Sequence, residues 1–100
     1  MKGISVDNFL KKNKTELQII DIREQYEYEN GNIDAIHIPM DNILTSTKKI
    51  DTSKQVIIYC QTGRRAAAVI YMLNKKHGFK NIFNLEGGYA AYLDTISNKI

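Results

Sequence analysis

Apolar residues along the chain fall into short runs, and these alternate with segments in which apolar positions recur at helical spacing. Val6, Phe9 and Leu10 share one helical face, with Ser5 as the N-cap. The stretch LQIIDIR, residues 17–23, is apolar almost throughout and rich in β-branched isoleucine, which predicts a buried strand. EQYEYEN, residues 24–30, reads as a short acidic helix stopped by Gly31, and AIHIP, residues 35–39, as a second strand ended by Pro39. Asp41 is expected to cap a short helix carrying Ile43 and Leu44. QVIIY, residues 55–59, is the clearest strand of all. After it, Ala66, Val69, Ile70 and Leu73 follow the i, i+3, i+4, i+7 rule of one buried helical face. Gly78 is expected to end that helix as its C-cap, with Lys75, Lys76 and His77 complementing the dipole in the last turn. NIFNL, residues 81–85, predicts a further strand, and Tyr89, Tyr92, Leu93 and Ile96 form another helical stripe after the Gly87-Gly88 pair.

Strands alternating with helices predict an α/β fold, an open and mostly parallel sheet with helices on both faces. Strands without strict polar alternation agree, because both of their faces are covered. No internal repeat, low-complexity tract or Pro/Gly linker divides the sequence, so residues 1–100 are expected to form one domain. An apolar fraction of 43% with 25% charged residues is that of a globular protein rather than a disordered one.

Charge and cysteine content narrow the function classes. The net charge of +3 comes from lysines dispersed among LKKNK, TKKI and NKKHGFK, without a concentrated basic face, so no nucleic-acid partner is expected. MKGISVDNFLKKNK lacks the apolar core of a signal peptide, and no stretch approaches membrane-spanning length. The protein is therefore expected in the cytoplasm with no membrane partner. A single cysteine rules out an internal disulfide, and with only His37 and His77 beside it falls short of a zinc ligand set. His37 and His77 read as a strand residue and a helix-end residue; Tyr26 and Tyr89 read as packing residues of the core, with the lining of an access groove as the alternative.

That one thiol, Cys60, stands where the clearest strand stops and the loop QTGRR feeds a helix. In open α/β sheets the ligand site lies beyond the carboxyl ends of the strands. N–H groups at a helix start have no partner inside the helix, and the dipole adds positive potential. A tight turn at Gly63 would curl those N–H groups around the sulfur, and Arg64 and Arg65 add two permanent charges. All three effects favour thiolate over thiol and would hold an anionic substrate. A core cysteine is the commoner fate of a lone thiol, but it needs no glycine turn, paired arginines or strand-to-helix junction.

The segments IIDIREQYEYENGNI, IHIP, VIIYCQTGRRAA and GFKNIFNLEGGYAAY, in that order, resemble a single-domain rhodanese, a sulfurtransferase, from about Leu17 to Tyr92. The resemblance implies a five-stranded rhodanese-like sheet and places a persulfide-carrying cysteine at Cys60. Gln61, Thr62, Gly63, Arg64 and Arg65 match the substrate-binding loop, whose amides face the sulfur. Asp21, Arg23 and Glu24 match a supporting cluster of acidic and basic residues, read as a salt-bridge network between loops. Gly87 and Gly88 match the turn into the last helix. The sequence departs from the family pattern at Asn32, usually histidine, at Ala66, commonly serine or threonine, and at Tyr92, frequently tryptophan. GNIDAIHIP is also one residue shorter than usual.

The implied reaction moves a sulfane sulfur from a donor such as thiosulfate to cyanide or a thiol through a Cys60 persulfide. It needs no metal or organic cofactor, and its partners are the small-molecule donor and acceptor or a sulfur-accepting protein. Two alternatives stand beside it. One is a non-catalytic, sulfur-carrying or sensing module of the same fold. The other is a cysteine phosphatase, whose loops place five residues between cysteine and arginine. Only Gln61, Thr62, Gly63 and Arg64 separate Cys60 from Arg65, and the next position is Ala66, so the wider phosphate ring is not formed.

Overall fold

The computed structural model describes residues 2–98. Five strands, β1 (Gly3–Ile4), β2 (Leu17–Asp21), β3 (Ile36–His37), β4 (Gln55–Tyr59) and β5 (Ile82–Leu85), form one sheet in the order β1-β5-β4-β2-β3. Every pairing is parallel. Five α-helices are interleaved: α1 (Val6–Leu10), α2 (Gln25–Glu29), α3 (Met40–Ile43), α4 (Arg64–His77) and α5 (Gly88–Asn98). Among the described residues no helix is long and apolar enough to cross a membrane.

Alternation along β4 sorts its side chains between two cores. Val56 and Ile58 belong to a cluster with Ile20, Ala66, Val69, Ile70 and Leu73, on the α4 side. Ile57 and Tyr59 belong to the opposite cluster, with Phe9 of α1 and Leu85, against which Tyr89 and Tyr92 of α5 pack. Cys60, the next residue, continues the period of two and falls on the α4 side. Both faces of the sheet are thus covered, as its apolar strands require.

Several boundaries differ from the sequence pattern for local reasons. The second apolar run leaves the sheet at Asp21, and the Asp21 carboxylate then accepts the Arg23 backbone N–H at 2.9 Å, closing a turn. Asp41 is not the cap of α3; Pro39 occupies that position and Asp41 lies within the first turn. Leu93 is exposed, so the inward stripe of α5 is carried by Tyr89, Tyr92 and Ile96. Ser5 and Gly78 cap α1 and α4 as the sequence indicates; the Ser5 side chain accepts the Asn8 N–H and Gly78 has φ 70°. β1 was not legible: two residues carry no periodicity, and only their pairing with Asn84 and Leu85 of β5 makes them a strand.

Strand order also fixes where a ligand site can lie. The connection from β2 runs to β3 on one side, whereas that from β4 runs to β5 on the other. The crevice of such a sheet opens between the carboxyl ends of those two central strands, here after Asp21 and Tyr59, which are register partners.

A buried polar network pins these two ends together. The Tyr59 hydroxyl, fully buried, donates to Asp21 Oδ2 at 2.7 Å and accepts the Ile33 backbone N–H at 3.1 Å. Burial, reinforced by the Asp21 hydrogen bond, raises the Tyr59 pKa well above its ordinary value, so it remains a neutral donor. Tyr59→Phe leaves the Ile33 N–H without its acceptor and is expected to destabilise the fold by about 1–3 kcal/mol, read from the urea unfolding midpoint.

Candidate active site

Cys60 follows the last residue of β4, and the three-residue loop Gln61–Gly63 leads directly into α4. The Gly63 N–H donates to Cys60 Sγ at 3.1 Å and the Ala66 N–H at 3.3 Å. Both donors belong to the start of a fourteen-residue helix, where backbone N–H groups lack intrahelical partners. Gly63 makes this curl possible because its φ of 98° is left-handed backbone that other residues adopt only with strain. Its carbonyl is held by Asn84 Nδ2 at 3.0 Å and by the Ala67 N–H, also at 3.0 Å. Cys60 has no solvent exposure and belongs to the apolar cluster on the α4 side, yet its sulfur is the acceptor of two N–H groups. A negatively charged sulfur is the better acceptor for both.

The start of α5 packs onto the same loop. The Tyr89 N–H donates to the Cys60 carbonyl at 2.8 Å and the Ala90 N–H to the Gln61 carbonyl at 3.0 Å. A Cβ at Gly88 would stand 2.5 Å from the Cys60 carbonyl oxygen, so only glycine permits this approach. The Gly87-Gly88 pair therefore does more than turn the chain, since it lets one helix N-terminus grip the backbone of the thiol-bearing loop.

The two loop arginines differ sharply. Arg64 is exposed and has no ion-pair partner among the described residues. Arg65 is half-buried and makes a two-pronged pair with Glu27 of α2, Nη1 to Oε1 at 3.0 Å and Nη2 to Oε2 at 3.1 Å. Its pKa is raised chiefly by the Glu27 hydrogen bonds, with attraction to Glu27, Cys60 and Glu24 adding. The same hydrogen bonds hold the Glu27 carboxyl below the usual carboxylate range. Glu27 is further fixed by the Glu24 N–H, which donates to Oε1 at 2.9 Å in a reciprocal capping box at the start of α2. The expectation that both arginines offer free charge thus holds for Arg64 alone.

Asp21, Arg23 and Glu24 fall into two groups. Arg23, only 2% exposed, meets the fully buried Asp21 carboxylate through Nε and Nη2, the latter at 2.7 Å. Burial works against the Arg23 charge, and the Asp21 hydrogen bond and attraction outweigh it, raising the pKa. Arg23 also donates to the Gly31 carbonyl at 2.6 Å and to Gln61 Oε1 at 3.3 Å, so the pair reaches the thiol loop. His37 Nε2 lies 2.7 Å from the Arg23 carbonyl oxygen, and its ring stacks on Tyr28. Glu24 is exposed and serves the cap of α2.

Between α2 and α5 a cleft of about 190 Å³ reaches Gln61; Tyr26, Glu27, Asn30, Tyr89 and Leu93 contribute to its walls. Tyr26 is 66% exposed, which corrects its assignment to the core, and Tyr89 is half-buried over the Arg23 guanidinium at 4.3 Å. Sequence reasoning did not single out Glu27 or Asn84. Glu27 had one legible signal, its position three residues after Glu24 in a capping-box pattern, whereas nothing local marks Asn84.

The geometry has counterparts among known proteins. A family model described as rhodanese-like domain matches residues 5–95. The chain is 32% identical over 80 residues to a thiosulfate sulfurtransferase GlpE of Coxiella burnetii, covering 79% of this chain and 74% of that protein. It is 36% identical over 88 residues to a tRNA uridine(34) hydroxylase of Hamiltonella defensa, covering 80% of this chain but spanning only 24% of that longer protein. A crystal structure of a rhodanese-related protein from Thermoplasma volcanium superposes with a TM-score of 0.85 at 25% identity, covering 95% of this chain and 93% of that one. Strand order, the cysteine at the head of α4 and a match over nearly the whole length lead to one conclusion: the chain belongs to the rhodanese-like domain family.

Proposed function

We propose that the protein is a sulfurtransferase that carries a sulfane sulfur on Cys60. The observation that supports this most is the pair of backbone N–H groups, from Gly63 and Ala66, aimed at Sγ from the start of α4. In the first step the Cys60 thiolate forms a bond to the outer sulfur of a donor such as thiosulfate. The donor's S–S bond breaks, and sulfite departs with the electron pair. In the second step cyanide or a thiolate takes the terminal sulfur, and the electron pair of the breaking bond returns to Cys60. The loop amides carry the negative charge on sulfur before, between and after the two steps. The donor-binding loop in this reading is Gln61, Thr62, Gly63, Arg64 and Arg65, with exposed Arg64 offering the unpaired positive charge.

The terminal sulfur of the Cys60 persulfide is handed outward, because the sequence holds no second cysteine to resolve the persulfide as a disulfide. A lone thiol with this role suits the cytoplasm, where thiols stay reduced. A protein acceptor of the sulfur is compatible with the same chemistry. The phosphatase reading is disfavoured by the four-residue interval between Cys60 and Arg65, and by the engagement of Arg65 with Glu27.

Exposure to thiosulfate, followed by intact mass spectrometry, is expected to show one added sulfur on the wild type and none on Cys60→Ser. An unchanged wild-type mass would remove this donor. Arg65→Ala leaves the Glu27 carboxylate uncompensated beside the loop, and is expected to raise the Michaelis constant for thiosulfate by about tenfold. Equal kinetics at an unchanged unfolding midpoint would remove Arg65 from donor binding.

A further inference from the structure

We propose that Glu27 sets the donor preference of the site by cancelling the charge of Arg65, and that the donor this site favours is an organic hydropersulfide rather than thiosulfate. The inference rests on the sulfur-transfer reading above and deepens it. Three charge assignments carry it. Arg65 is held by both carboxylate oxygens of Glu27. Arg23 is held by the buried Asp21. Arg64 alone is left as an unpaired cation of the loop, and it is exposed. Thiosulfate carries two negative charges and needs a site with surplus positive charge, whereas a hydropersulfide R–S–SH carries at most one.

The surroundings of the loop match the second kind of donor. The cleft that reaches Gln61 is walled by two tyrosines, Leu93 and Asn30, with the charges at its edge already paired. Thiosulfate has no group to place there. An alkyl or aryl R group would cover Leu93 and Tyr26, which are 41% and 66% exposed. The sulfur step balances without an added oxidant or reductant. Cys60 thiolate bonds to the outer sulfur of R–S–SH, the donor S–S bond breaks, and its electron pair leaves on R–S⁻, giving Cys60–S–SH.

Glu27 acts through Arg65, so it is a positioning residue for charge. Its carboxylate also accepts the Glu24 N–H of the capping box, a task glutamine performs equally well. Glu27→Gln therefore removes the charge with little change in shape. The test measures the second-order rate of sulfur loading on Cys60 by intact mass, with thiosulfate and with benzyl hydropersulfide generated in place.

Glu27→Gln is expected to raise the thiosulfate-to-hydropersulfide ratio of loading rates by about tenfold at low ionic strength, a gain that shrinks with added salt. The double variant Glu27→Gln/Arg65→Gln, again neutral, is expected to return the ratio towards the wild-type value, which a purely structural effect of Glu27 would not do. Leu93→Ala is expected to shift the ratio severalfold towards thiosulfate, roughly the loss of one buried side-chain contact. Loading by both donors with a ratio unmoved in Glu27→Gln would overturn the assignment of Glu27 and leave sulfur transfer standing. Absence of sulfur on wild-type Cys60 with either donor would overturn the transfer reading, and this inference with it.

Discussion

Backbone N–H groups that a helix cannot satisfy for itself are the constraint from which this site follows. The first turn of α4 presents several such donors, and β4 delivers a sulfur to them because its side chains alternate between two cores. Val56, Ile58 and Cys60 share the α4 side, so the residue just past the strand meets the start of the helix that follows. Shifting that phase by one would place Tyr59 against α4 and the thiol over α5. The site therefore depends on strand register as much as on the identity of its loop residues.

Of the three arginines Arg23, Arg64 and Arg65, two are balanced by a carboxylate among the described residues. The Asp21–Arg23 pair is buried and reaches out to the Gly31 carbonyl and Gln61, so it braces three segments around the crevice. Isolated burial of either ion would be costly; their mutual contact, with further hydrogen bonds to Tyr59 and the backbone, offsets that cost. The Arg65–Glu27 pair is half-exposed and ties α2 to the start of α4. These pairs give the loop a defined shape while keeping its surplus charge small. Selectivity among sulfur donors is then a matter of charge count as well as reach, since one loop can favour or disfavour dianions without any change at the cysteine.

Much of this architecture was readable from the chain. QVIIY and the Ala66, Val69, Ile70, Leu73 stripe correspond to β4 and the buried face of α4, because long apolar periodicity survives any tertiary context. Gly63 and Gly78 were legible for a related reason: their left-handed backbone follows from chain direction at the two ends of that helix. What stayed hidden was non-local. β1 exists only through its partner strand, Arg65 is neutralised by a residue thirty-eight positions away, and Asn84 meets Gly63 across the sheet. Tyr26 and Leu93 misled in the same way. Aromatic and apolar side chains count as core in a linear reading, yet both face an open cleft beside the loop.

The account stands or falls on whether the α4 amides hold a charged sulfur. The most direct measurement is the proton chemical shift of the Gly63 and Ala66 amides, recorded by NMR on reduced protein and on protein bearing sulfur at Cys60. Hydrogen bonds to a thiolate or persulfide anion predict downfield resonances in both states, with the two amides among the most perturbed when sulfur is added. Amide shifts at ordinary positions that stay put on sulfur loading would contradict the account.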